Sequence, residues 1–143
     1  MRHLCRFAQL SNRARGALIQ AYILLWAIRI GLWVLPFLRL LALVVWAIQA
    51  RRRIRRPSTD AVQTVAWAVH TGSRYVPSAT CLTQALAGQI LLARYGYASE
   101  LRIGVAQASG RDFEAHAWLL YDDEVVIGGG GDLSRFTPLP PLG

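Results

Sequence analysis

Cys81 and His116 are the two side chains whose chemistry and setting fit together. Cys81 opens the run Cys-Leu-Thr-Gln-Ala-Leu-Ala-Gly-Gln-Ile-Leu-Leu-Ala-Arg, in which Leu82, Leu86, Gln89/Ile90 and Ala93 recur at helical spacing. His116 lies inside Phe-Glu-Ala-His-Ala-Trp, whose alternation is that of a strand. A thiol is mostly protonated at neutral pH, with a reference pKa of about 8.5. The first turn of a helix presents unpaired N–H groups and partial positive charge. A neighbouring imidazolium adds a full charge, and together they favour a thiolate. The same N–H groups, Leu82's among them, can hold the oxyanion formed when that thiolate attacks a carbonyl. The imidazole can then protonate the leaving amine and later activate water.

A third group must orient the imidazole. Asp122-Asp123 reads as a two-residue hairpin turn, which pairs Tyr121 with Glu124 and sets His116 opposite Gly129. The orienting group is therefore expected near residues 128–129, where only glycine stands. Asp132 can reach back across the glycine run, Glu114 shares a strand face with His116, and a main-chain carbonyl or side-chain amide can serve as well. Asp122 and Asp123 sit about 20 Å away at a strand's rise per residue and are read as turn formers.

The surrounding elements follow from periodicity and punctuation. Pro57-Ser58-Thr59-Asp60 reads as a linker ending in a helix N-cap. A helix to about Thr71 carries Val62, Val65, Ala66 and Val69 on one face, closed by Gly72 and Ser73. Residues 74–80 read as a loop. The helix opened by Cys81 ends before Gly96, and the small Ala85 and Gly88 allow another backbone to come close. Strands are expected over Glu100–Gln107, Phe113–Tyr121 and Glu124–Gly128, with His116, Trp118 and Leu120 on one face. Helices followed by an antiparallel meander make an α+β fold.

Residues 17–50 are dominated by Leu, Ile, Val, Ala and Trp, interrupted by Gln20, Arg29, Pro36 and Arg39. A charged Arg29 near the middle of the span 17–37 disfavours a transmembrane helix. Two helices split at Pro36 fit better, packing on the catalytic part or on a partner. Trp26, Trp33 and Trp46, with flanking arginines, also suit contact with a membrane surface. A secretory signal does not fit, because the positive region is long and no small-residue cleavage site follows.

Charge divides the 143 residues in the same way. Residues 1–56 hold eleven Arg and no Asp or Glu, whereas residues 57–143 hold five Arg against eight acids, and the chain has no Lys. Two parts are expected, a basic apolar helical portion (1–56) and a core (57–143). Arg51, Arg52 and Arg53 head a single basic cluster without any nucleic-acid-binding pattern, so no nucleic acid is expected. Cys5 and Cys81 form neither a C-x-x-C nor a zinc-ligand spacing. No metal, no cofactor and no disulfide framework are expected, and the default compartment is the reducing cytoplasm.

Cys81-Leu82, Ala85-Leu86-Ala87, Leu91-Leu92, Gly96, Ile103-Gly104-Val105 and Phe113-Glu114-Ala115-His116-Ala117-Trp118 together resemble the lasso-peptide leader peptidases, transglutaminase-like cysteine proteases of lasso-peptide biosynthesis. The resemblance spans about residues 58–139, through Arg135-Phe136-Thr137-Pro138-Leu139, and the apolar front resembles the family's helical N-terminal portion. It implies a papain/transglutaminase-like core with the nucleophile at a helix N-terminus packed on a small antiparallel sheet. Cys81 would be the nucleophile and His116 the general base/acid, with the Leu82 backbone, Trp118 and Glu114 close by. The family's third member, an aspartate on the strand after the histidine, falls at about Gly128, which again leaves Asp132 as the nearest carboxylate downstream. The resemblance also implies a precursor peptide as substrate, a small leader-binding partner protein and an ATP-dependent cyclase. Arg51–Arg53 would guide an acidic leader or that partner. Two other functions compete with this one: an acyl transferase or amidase on the same scaffold, and a non-enzymatic, membrane-associated interaction module.

Overall fold

A computed structural model describes residues 12–50, 59–77, 80–107, 113–129 and 136–138. Among the described residues there are four helices, α1 (Asn12–Val34), α2 (Phe37–Ala50), α3 (Thr59–Ser73) and α4 (Cys81–Arg94). Four strands follow, β1 (Glu100–Gln107), β2 (Phe113–Tyr121), β3 (Glu124–Ile127) and β4 (Thr137–Pro138). The fold is α+β, as the element order implies.

Pro36 separates α1 from α2, because it supplies no N–H to a continuous helix. α1 packs on α3 and α4 through Ala17, Ala21, Leu25 and Ile28, a stripe at spacings of three and four. Its other side leaves Ile19, Ile23, Ile30, Trp33 and Val34 exposed, so α1 is apolar on both sides. By length and composition alone, Ala14–Val34 is also long and apolar enough to cross a membrane, with a mean hydropathy of 1.7. α3 begins at Thr59, so Thr59 and Asp60 are helical and a capping Ser58 lies outside the described residues.

α4 is the central helix, touching α1, α2, α3 and the sheet. It is consequently buried on most sides, with Ala85, Leu86, Leu91 and Leu92 fully enclosed. Leu82, Gln89 and Ile90, which mark the helical spacing, are only half-buried. Gly88 does meet a close neighbour, although the neighbours are side chains, Ile127 and Leu119, rather than a second backbone. The helix stops at a Schellman turn. Tyr97 N–H reaches Leu92 O at 2.9 Å and Gly96 N–H reaches Ala93 O at 3.0 Å, with Gly96 at a φ of +90° that a side chain would resist.

The sheet is antiparallel in the order β3-β2-β1-β4. β1 and β2 pair along their whole lengths, with Gly104 opposite His116. β4 is two residues long, carries a proline and pairs on the outer edge of β1 at Gly104 and Val105. Asp122 and Asp123 form the β2–β3 turn with φ of +52° and +62°, the paired left-handed conformation of a tight hairpin. One hydrophobic cluster runs from Ala17 in α1 through α2, α3 and α4 to Leu119 and Ile127 on the sheet. A second, smaller cluster (Ala106, Trp118, Leu120 and Phe136) covers the opposite sheet face.

Candidate functional site

Cys81 is the first residue of α4, and Thr80 caps it. Thr80 takes an extended conformation, and its Oγ1 accepts the Thr83 N–H at 3.4 Å. The N–H groups of Cys81 and Leu82 belong to the same turn and have no acceptor within the helix. They point where the positive end of the helix dipole lies. The thiol is half-buried and faces the edge of the sheet, where the Ala117 N–H donates to Sγ at 3.5 Å. β3 leaves that edge free, because it pairs with Leu119–Tyr121 only, so the main chain of Ala117 meets the cysteine there.

His116 precedes Ala117 and projects to the opposite face of β2. Its ring stacks on Trp118 with centroids 6.0 Å apart and an interplanar angle of 23°. It also lies 5.4 Å from the ring of Phe136. Its Nε2 hydrogen-bonds the main-chain carbonyl of Gly128 at 2.7 Å. A carbonyl only accepts, so Nε2 carries the proton and Nδ1 of the neutral ring keeps its lone pair. The tautomer is thereby set by a main-chain group.

Gly128 lies just past the end of β3. A regular hairpin from the Tyr121–Glu124 pair would place Val126 opposite Leu119, but Leu119 pairs with Ile127 and Val126 is an inserted residue. The simple count that put Gly129 across from His116 therefore does not hold beyond Leu119, and it is the Gly128 carbonyl that reaches the imidazole. Gly128 itself sits at a φ of +83°, and a Cβ there would lie 2.7 Å from Ala117 O and 3.0 Å from Trp118 Cα. An aspartate cannot occupy this backbone without moving it, and the carbonyl stands where the resemblance implies a carboxylate.

Cys81 and His116 line one cleft of about 410 Å³, open to solvent, with Ala66, His70, Gln84, Val126, Ile127, Gly128 and Gly129. The helix-terminal thiol, the oriented imidazole and the adjacent amides can support nucleophilic attack on a carbonyl and proton transfer to its leaving group.

The other expected site residues are distributed differently. Leu82, in the first turn of α4, is half-buried and is not among the cleft residues. Trp118 is buried behind the imidazole and steadies it without lining the cleft. Glu114 is exposed opposite Ala106 and is not among the cleft residues. Asp132, Arg51, Arg52 and Arg53 lie outside the described residues. The Nε2 position that Asp132 would serve is occupied by Gly128 O.

Four contributors were not foreseen from sequence. Gln84 is one helical turn beyond Cys81 on α4, a spacing that places the two on one face and was available as a signal. His70 ends up in the cleft through the packing of α3 on α4, which no local pattern announces. Thr80 stood at the end of an expected loop, although threonine before a helix is a cap signal. Phe136 reaches the imidazole only because β4 closes on β1.

Among curated proteins and solved structures no match is found. The description "Transglutaminase-like superfamily" matches residues 23–140, from within α1 to beyond β4 and across the charge boundary at residue 56. That span covers most of the chain, and it includes both Cys81 and His116. The chain belongs to the transglutaminase-like superfamily, whose domain is typically that of a cysteine peptidase or acyltransferase.

Proposed function

We propose that this protein is a cysteine protease that removes the leader from a lasso-peptide precursor, with Cys81 as nucleophile and His116 as general base and acid. One observation carries the chemistry. The thiol at the N-terminus of α4 and an imidazole pinned through Nε2 to Gly128 O line the same open cleft. The Cys-Leu and Phe-Glu-Ala-His-Ala-Trp strings support the choice of substrate.

The proton of Cys81 passes to Nδ1 of His116. The thiolate attacks the carbonyl of the leader's last residue, and the oxyanion takes hydrogen bonds from the first-turn amides of α4, Leu82 included. The C–N bond breaks as His116 returns its proton to the nitrogen that becomes the core peptide's N-terminus. His116 then takes a proton from water, whose oxygen attacks the thioester, and the leader leaves as a carboxylate while the proton returns to sulfur. A small leader-binding protein delivers the precursor, Arg51–Arg53 draw in the acidic leader or that protein, and an ATP-dependent cyclase consumes the freed core.

The test combines the purified chain, the partner and the precursor, with mass spectrometry of both fragments. The parent is expected to yield leader carboxylate and free core, and Cys81→Ala to yield neither. Cleavage by Cys81→Ala would overturn the proposal. Leader captured on an added amine, without partner dependence, would replace it by the acyl-transfer reading that the superfamily equally accommodates. Serine at positions 51–53 is expected to weaken precursor capture and flatten its salt dependence.

A further inference from the structure

We infer that the corner between α1 and α2 docks on an anionic phospholipid surface. The six residues Trp33-Val-Leu-Pro-Phe-Leu38 contain no polar side chain. They include the three most exposed large apolar residues described, Trp33 at 85 %, Leu38 at 74 % and Val34 at 72 %. The exposed stripe continues back along α1 through Ile30, Ile23 and Ile19, at spacings of three, four and seven residues. Along α2 it continues from Leu38 to Trp46, eight residues on. Such an apolar expanse is uncommon on a solitary soluble surface and marks an interaction site.

Charge identifies the occupant. Arg29 stands one turn before Trp33, and Arg39, itself exposed, follows Leu38. No carboxylate occurs anywhere in residues 1–56, against eleven arginines. Tryptophan at a headgroup boundary and arginine reaching toward phosphate are the side chains an anionic lipid face selects. Spanning is disfavoured by the opposite side of α1. Ala17, Ala21, Leu25 and Ile28 are buried against α3 and α4 and would have to leave the core. The protein therefore lies on the membrane, corner first.

Flotation of the full chain tests this with vesicles of phosphatidylcholine alone and of phosphatidylcholine mixed with phosphatidylglycerol. The parent is expected to float with the mixed vesicles only, and to be released by high salt and alkaline carbonate. W33S and L38S should each lower partitioning about tenfold, the scale of withdrawing one large apolar side chain from lipid. R29Q/R39Q should weaken binding and flatten its salt dependence. Thermal unfolding and Cys81 alkylation, unchanged in W33S/L38S, show that the fold persists. No flotation of the parent, equal flotation with phosphatidylcholine alone, or flotation unaffected by W33S/L38S overturns the inference. Resistance to both salt and carbonate would put α1 across the bilayer and also overturns it. Loss of partner-dependent cleavage by W33S/L38S without vesicles would place a protein on the corner instead.

Discussion

The two faces of the sheet differ in depth, and the candidate site sits where they meet. On one face Ala117, Leu119 and Ile127 are pressed against α4 in a cluster that reaches back to Ala17. On the other, Trp118, Leu120, Ala106 and Phe136 form a thin cover held by the short β4. His116 and Ala117 are neighbours in sequence and belong to opposite faces. The Ala117 N–H meets Cys81 Sγ, and the His116 ring is held by the thin cover. The deep face sets where the thiol is, and the thin face sets how the imidazole is turned. Stability and reactivity should therefore respond to different substitutions a few ångströms apart.

The largest separation is expected at His116→Ala. Loss of the general base of such a pair costs about 10⁶ in rate, about 8 kcal/mol in barrier. The side chain is only half-buried, so the thermal midpoint should stay near the parent's. Rate assays paired with thermal unfolding check this, and a collapse of the midpoint would show that the imidazole is a structural member of the thin face.

Leu119→Ala is the converse case. Leu119 is fully buried between β2 and α4, beside Gly88 and Ile127. Truncation should cost about 2–5 kcal/mol of stability. Activity at a temperature where the variant remains folded should change little, since neither Cys81 nor His116 loses a hydrogen-bond partner. Urea unfolding and single-temperature kinetics measure the two effects separately.

The parts of this arrangement that residue type encodes were readable beforehand. Valine and leucine spacing marked α3 and α4, Gly96 marked the end of α4, and Asp122-Asp123 marked the hairpin. Cys81 and His116 were recognisable as candidates because a nucleophile and a base would be side chains. The orienting group is expected near residues 128–129 but stays open among a carboxylate, an amide and a main-chain carbonyl, because a carbonyl is something every residue possesses. The bulge at Val126, which breaks the simple register count, also leaves no compositional trace. β4 escaped because two residues, one a proline, have no periodicity. His70 joins the cleft through the approach of α3 to α4, a long-range event that local pattern does not report.

Gly128→Ala addresses that carbonyl directly. The left-handed backbone and the 2.7 Å approach to Ala117 O leave no room for a methyl group. About 1–3 kcal/mol of strain is expected. Relief by backbone movement would pull the carbonyl from Nε2, so the rate constant should fall while KM holds. A variant with parental kinetics would show that the imidazole is oriented by something else. Phe136→Leu is milder, removing ring contacts worth about 0.5–1.5 kcal/mol each from His116 and Trp118. Its loss should appear mainly in the rate constant, and a change confined to stability would reduce the thin face to packing alone.

The smallest effect is expected at Asp132→Asn, and it decides what kind of site this is. Nε2 has a single proton, already given to Gly128 O at 2.7 Å. A second acceptor could share it only by weakening that bond. With the carbonyl as orienting group, Asn should leave the rate within about threefold of the parent, less than about 1 kcal/mol of barrier. The carbonyl contributes a dipole and no full charge, so it fixes the tautomer with less stabilisation of the imidazolium than a carboxylate gives. Were Asp132 the true partner, the amide would favour the wrong tautomer and the rate should drop by about 10⁴. That drop would convert the seam between the two faces from a Cys–His pair on a main-chain support into a triad completed across the glycine run.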